Sequence, residues 1–213
     1  MRVSQAIAAA TGLVAMLVTG PAAADVRRVS NVTVISEIDV SGRFKVEIVQ
    51  GEQAAATLEG APDALERLGI RYSEGRLKIW EKCTVFCARP DVGAVIRIVS
   101  PRLDVIEVAK GAEVTAAGVY GPSLSLDVSM GGSLAISGQC GGLEADVAMG
   151  GVLSAENLSC RAVEVDASMG GAAGVRASEL VDAVASMGGA IAIHGKPRLD
   201  SRASMGGVVS MED

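Results

Sequence analysis

Ser129-Met130-Gly131-Gly132 returns four more times down the chain, as Ala148-Met149-Gly150-Gly151, Ser168-Met169-Gly170-Gly171, Ser186-Met187-Gly188-Gly189 and Ser204-Met205-Gly206-Gly207. The methionines stand 19, 20, 18 and 18 residues apart. A phrase repeated at so short a period is the mark of a solenoid, in which each repeat is one coil that can bury its apolar face only against the next.

Alignment on the methionine separates inside from outside. Two, four and six places before it stand Val128, Leu126 and Leu124, then Val147, Ala145 and Leu143, then Ala167, Val165 and Val163, and so on to Ala203, Ser201 and Leu199. Past the glycines the rows resume with Leu134 and Ile136, Leu153 and Ala155, Ala173 and Val175, Ile191 and Ile193, Val209 and Met211. Apolar residues at period 2 mean strands with one buried face. Counted with the same parity, Met130, Met149, Met169, Met187 and Met205 also fall inside, as flexible fillers of the space left where valine gives way to alanine. Gly131, Gly150, Gly170, Gly188 and Gly206, each with the glycine after it, read as corners, since glycine bends without a Cβ clash. Val108, Lys110, Gly111, Val114 and Ala116 fit one earlier coil, with Lys110 in the methionine's place. The expected fold is all-β: a single-stranded parallel β-helix, or solenoid, of 18–20-residue coils over residues 103–213, right-handed by the usual crossover preference.

Residues 25–102 show strands without the repeat and form an irregular, sandwich-like β cap in this reading, with 25–213 acting as one domain. Strands are expected over 32–40, 44–49, 55–58 and 92–99, and a hairpin from Ile70–Tyr72 to Leu77–Trp80 around Ser73-Glu74-Gly75-Arg76. Pro62 to Leu68 is the one helical stretch, opened by proline and stopped by Gly69. All five aromatics, Phe44, Tyr72, Trp80, Phe86 and Tyr120, lie at or before residue 120, so this region has a core unlike that of the repeats.

A sequence of landmarks also carries a family resemblance: Ile38-Asp39-Val40-Ser41-Gly42-Arg43-Phe44-Lys45-Val46-Glu47-Ile48-Val49-Gln50-Gly51, the Leu65/Leu68 helix, Gly75-Arg76-Leu77-Lys78-Ile79, Pro101-Arg102-Leu103-Asp104-Val105-Ile106-Glu107 and Lys110-Gly111-Ala112-Glu113-Val114. Over residues 36–190 the chain resembles the auto-transporter adhesin "head GIN" domain family of bacterial envelope proteins. That resemblance implies an all-β fold running into a parallel β-helix, and it brings no catalytic residues. Methionine in each repeat departs from the small or polar residue expected of the family.

The first 24 residues read as a cleavable secretory signal: Arg2, an apolar run from Ala6 to Gly20, and the small residues Ala22-Ala23-Ala24 before Asp25. The run is too short to span a membrane, and no second span follows, so the mature protein is expected to be periplasmic or secreted. In an oxidising compartment four cysteines are more often paired than metal-bound. Cys140 and Cys160 hold nearly the same place on adjacent coils, where strand spacing of about 4.8 Å suits a disulfide. Cys83 and Cys87 suit a small closed loop, with a Cys₄ zinc site as the alternative.

The formal charge of −6 at pH 7 disfavours nucleic acid and anionic lipid as partners. The acids are arranged. Glu144, Glu164, Asp182 and Asp200 stand five places before their methionines, and Asp127, Asp146 and Asp166 stand three before, with Glu107 in the preceding coil. Like charges in register repel, which calls for solvent, a basic partner or a divalent cation; Asp127, Asp146, Asp166, Glu144 and Glu164 are the weak calcium candidates. Stacked thioethers could take a soft metal, but inward parity argues against it. Calcium-binding nonapeptide rolls and phosphate loops are excluded, because Ser133-Leu134-Ala135 follows Gly131-Gly132 and no Gly-Lys-Ser/Thr is present. His194 has no nucleophile beside it and reads as a surface residue. No cofactor motif is found. These features point to an exported, non-enzymatic adhesin-like or scaffold module whose partner is an envelope protein or glycan. The alternatives are a polysaccharide-active β-helix enzyme, for which Arg202 is the only basic residue in register with the acids, and an envelope element that self-assembles through its coil ends.

Overall fold

The structure, a computed structural model, describes residues 25–29, 32–82 and 93–212; the signal segment and the Cys83/Cys87 pair lie outside the described residues. Four long strands carry the repeats: β9 (Glu113–Val128), β10 (Ser133–Val147), β11 (Val152–Ala167) and β12 (Ala172–Ala185). Each pairs in parallel with the next, and each bends midway, so that its first half lies on one face of the solenoid and its second half on another. The bends fall where the register shifts, near Ser137, Asn157 and Arg161. The final coil is split into β13 (Ala190–Gly195) and β14 (Arg198–Ala203), and β15 (Val208–Glu212) follows it. β14 and β15 each pair on one side only.

Inside the coils the expected rows hold. Val128, Leu126, Leu124, Leu134 and Ile136 are buried, as are their equivalents through Ile191 and Ile193. The rows open in the coil of β14 and β15, where Ser201, Ala203 and Met211 are exposed and Leu199 and Val209 only half-buried, because no further coil among the described residues covers them.

The N-terminal region is not a sandwich set beside this stack but part of it. β2 (Glu37–Ser41) and β3 (Lys45–Gln50) form a coil whose strands lie parallel to β8 (Val105–Ala109) and to the first half of β9. β6 (Arg76–Glu81) and β7 (Ala94–Ser100) form the next coil outward, parallel to β2 and β3. The spatial order therefore departs from the chain order: the coil of β6 and β7 is outermost, that of β2 and β3 lies beneath it, and only then does the chain continue into β8. Antiparallel strands close this end. β4 (Ala55–Gly60) pairs with β7, β5 (Leu68–Ser73) with β6, and β1 (Asp25–Arg28) with β4. The helix α1 (Pro62–Glu66) joins β4 to β5 and buries Ala64 and Leu65. One core runs without a break from Ile35 and Phe44 to Ile193.

Each Met-Gly-Gly corner is a tight turn. Met130, Met149, Met169, Met187 and Met205 have φ between 46° and 50°, and the glycine after each has φ between 73° and 80°. Two successive left-handed residues, closed by a bond from the second glycine's N–H to the carbonyl of Ser129 (2.9 Å), Ala148 (2.9 Å), Ser168 (2.9 Å), Ser186 (2.8 Å) or Ser204 (2.9 Å), define a type I′ turn. Lys110 and Gly111 adopt the same conformation at φ 58° and 78°. The two glycines do different work. A Cβ on the first would meet nothing within 4 Å, so that residue is needed for its φ; a Cβ on the second would lie 2.1–2.8 Å from a backbone carbonyl oxygen of the preceding coil, so that one is needed for space.

The methionines do not line the core. Met130, Met149, Met169 and Met187 are 46–49% exposed and Met205 80%. A residue in the left-handed region does not continue the pleat, so parity counted straight through the corner places it on the wrong side. Left-handed φ costs a side chain of this kind about 1–2 kcal/mol, and all five methionines carry it.

Candidate functional site

The second halves of β9–β12, together with β6, β2, β8 and β14, make one face, and most of the outward positions in its middle are acidic. Strand register aligns Asp39 with Glu107, Glu107 with Asp127, Asp127 with Asp146, and Asp146 with Asp166. Two residues earlier along the strands, Glu144, Glu164, Asp182 and Asp200 form a second ladder. Neighbouring rungs lie about 4.8 Å apart, the distance between paired strands.

Among the described residues, cations stand only at the ends of these ladders. Lys78 Nζ is 2.5 Å from Asp39 Oδ2, Arg76 pairs with Glu37, and Arg202 lies 3.9 Å from Asp200 at the far edge. Within that same set no cation pairs with Asp127, Glu144, Asp146, Glu164 or Asp166. Partial burial, then the neighbouring Asp166 and Asp127, push the Asp146 carboxyl above its ordinary range, and burial followed by Asp39 does the same to Glu107. Asp182 adds a carboxylate oxygen that is shielded from solvent and has no hydrogen-bond partner.

The calcium candidates Asp127, Asp146, Asp166, Glu144 and Glu164 are thus brought together as two flat rows rather than as a cage. Among the described residues no three His, Cys, Asp or Glu side chains converge so that they could hold an ion. Sequence order hid Glu37, Asp39, Arg76 and Lys78, which join this face because β2 and β6 stack beside β8. The outward parity of Glu37 and Asp39 within β2 was the available signal, but nothing in the linear order places that strand next to residue 107.

The opposite face is nearly uncharged along the repeats. Its outward positions are Glu113, Ser133, Val152, Ala172, Ala190 and Val208 in one row, with Glu113 paired to Lys45, and Thr115, Ala135, Ser154, Gly174, Ala192 and Ser210 in the other. Along the mid-strand bends runs a groove of about 820 Å³, lined in part by Arg102, Tyr120, Gln139 and Arg161. Gln50 fixes its rim: its side-chain amide donates to the carbonyls of Pro101 and Tyr120 (3.1 Å each) and accepts from the Tyr120 N–H (2.8 Å). The Cys140–Cys160 disulfide forms part of the groove wall and joins adjacent coils in register at a Cα separation of 4.5 Å. His194 is half-buried rather than on the open surface, with Nε2 3.7 Å from Glu212 of the next coil. No helix among the described residues is long and apolar enough to cross a membrane.

Comparison with known proteins agrees with this architecture. No curated protein matches the sequence. A "putative adhesin" from Bacteroides fragilis has a similar fold, with a TM-score of 0.65 at 18% identity over 88% of this chain and 95% of that one. A "putative lipid binding protein" from Parabacteroides distasonis is similar at a TM-score of 0.52 and 17% identity, over 91% of this chain and 98% of that one. At these identities the likeness shows the fold alone. The family described as "Putative auto-transporter adhesin, head GIN domain" matches residues 35–197, which spans the out-of-order N-terminal coils and all but the last repeat. The chain belongs to that family.

Proposed function

We propose that this protein is an exported, non-enzymatic binding module of the bacterial envelope whose acidic face docks a basic protein surface. The observation that carries this reading is the pair of in-register carboxylate ladders with cations, among the described residues, only at their ends. Like charges stacked about 4.8 Å apart destabilise the free fold, and a partner that brings lysine or arginine across the rows relieves that repulsion on binding. Such a partner is steered in over long range and held more weakly as salt rises. The family's adhesin description and the disulfide between coils support an extracytoplasmic role.

The test compares wild type with Glu144→Gln/Asp146→Asn/Glu164→Gln/Asp166→Asn in capture of basic proteins from envelope extract, at low and physiological salt. Wild type is expected to retain a salt-sensitive set that the neutralised variant loses. Equal capture by both proteins refutes the reading. The uncovered last coil supports a second reading, the stacking of copies through β14 and β15, whose unpaired edges and half-open inner row would be completed by another coil.

A further inference from the structure

We infer that the methionine ladder along the solenoid edge is a binding site for a soft monovalent cation such as Cu(I) or Ag(I). Met130, Met149, Met169, Met187 and Met205 occupy the same turn position in successive coils, and all five side chains project from the surface. The turns stack directly: the Gly131 N–H donates to the Met149 carbonyl and the Gly170 N–H to the Met187 carbonyl, each at 3.2 Å. The turn backbones of neighbouring coils lie about 4.8 Å apart, which lets two methionine side chains converge on one ion. Neighbouring thioethers can therefore share one ion between them, since methionine turns freely about three bonds.

Three observations favour a metal over a plain apolar stripe. Every rung is methionine, although an apolar contact would be served as well by leucine, isoleucine or valine, which the chain uses freely elsewhere. The position is left-handed, where asparagine or glycine fits with less strain, so the side chain is kept against the backbone's preference; strain of this kind gathers at functional positions. The ladder also borders the acidic face, since Asp127, Asp146 and Asp166 stand three residues before Met130, Met149 and Met169, and that field concentrates cations without supplying the ligands. Thioethers are neutral, soft donors that select Cu(I) over harder divalent ions. They do not titrate, so the site keeps its affinity where histidine or carboxylate ligands would be protonated. Lys110 takes the methionine's place at the N-terminal head of the row and ends it with a positive charge.

The experiment is titration of the mature protein, its free thiols blocked with N-ethylmaleimide, with Ag(I) by calorimetry and with Cu(I) against a chromogenic Cu(I) chelator. Wild type is compared with Met149→Leu/Met169→Leu/Met187→Leu, which keeps the apolar volume and the backbone strain but removes three sulfurs. Binding is expected in wild type at micromolar protein, nearly unchanged between pH 7 and 5, and weakened at least a hundredfold in the triple variant. The neutralised acidic-face variant is expected to retain it. Failure of wild type to bind either ion, equal binding by the leucine variant, or loss of binding on mild acidification overturns the proposal. It is overturned too if the leucine variant holds a protein partner as well as wild type does while neither binds metal, which would make the ladder an apolar contact.

Discussion

Alanine at Gly150 and alanine at Gly151 should differ by several kilocalories although the two residues are adjacent in one turn. At Gly150, φ is 73° and an added Cβ would touch nothing, so the penalty is the left-handed strain alone, about 1 kcal/mol. At Gly151 the Cβ would lie 2.2 Å from the Val128 oxygen and 2.7 Å from its carbonyl carbon. That oxygen accepts the Ala148 N–H at 3.0 Å, and the neighbouring Val152 N–H donates to Gly132 at 2.9 Å. Relief of the clash requires the coils to part by about an ångström, which disrupts two ladder bonds worth about 1 kcal/mol each and adds packing strain of roughly 1–3 kcal/mol. The total is about 3–5 kcal/mol. In a chain of this length it would appear as a fall of roughly 6–20 °C in Tm, against about 2–4 °C for Gly150→Ala. Gly150→Asn should be nearly silent, because asparagine tolerates the left-handed region. Gly207→Ala meets the Ala185 oxygen at 2.3 Å, but its coil is the last and can detach locally, so it should loosen β14 and β15 without moving the main transition. Urea and thermal melts followed by far-UV circular dichroism measure all four variants. A Gly151→Ala protein no less stable than Gly150→Ala would refute this reasoning, as would a Gly207→Ala protein whose main transition moves as far as that of Gly151→Ala.

Cys140→Ala/Cys160→Ala removes a link of sequence separation 20, and urea melts should show a loss of about 3 kcal/mol from restored loop entropy. The raised carboxyls of Asp146 and Glu107 make the native state the better proton binder, so their contribution to stability is present below the ordinary carboxylate range and is lost as pH rises through their elevated values. Melting temperature should accordingly climb as pH falls from 7 into the acidic range. Asp146→Asn should raise Tm at pH 7 and flatten that slope; a steeper slope would contradict the repulsion argument. Sizing of the mature protein across concentrations should show reversible association if copies stack through the open coil, and a strict monomer removes that reading.

The rows two, four and six places from the methionine were legible because a strand with one wet face writes its geometry in every second residue, and a solenoid writes it again every 18–20 residues. The Cys140–Cys160 link followed from the same register. The path of residues 37–100 was not legible. β2 and β6 alternate as clearly as any repeat, with Ile38 and Val40 inside and Glu37 and Asp39 outside, but alternation names a face and not a neighbour. The stacking of β6 and β7 outside β2 and β3 rests on long-range pairing that leaves no period. That hidden pairing is what extends the acidic ladder through Asp39 and supplies Lys78 and Arg76 at its edge.

The methionines were legible in kind but were placed on the wrong side, and the reason is local. Parity is a property of extended backbone, and it ends at the first residue whose φ turns positive. Met130-Gly131 occupies the two central positions of a type I′ turn, so the count that holds from Leu124 to Val128 stops there and restarts at Leu134. Lys110 was the sign within the sequence. An ammonium in a dry row is expensive, whereas a turn position that projects into water admits lysine. With the thioethers outside, the Ala-lined interior between Ala167 and Ala185 closes without them, since those alanines are themselves fully buried. The core therefore places no demand on methionine at the corner, and the turn conformation disfavours it. The thioethers are presented along one exposed edge in all five coils, which is the reason soft-cation binding is sought at this edge rather than in the groove by the disulfide.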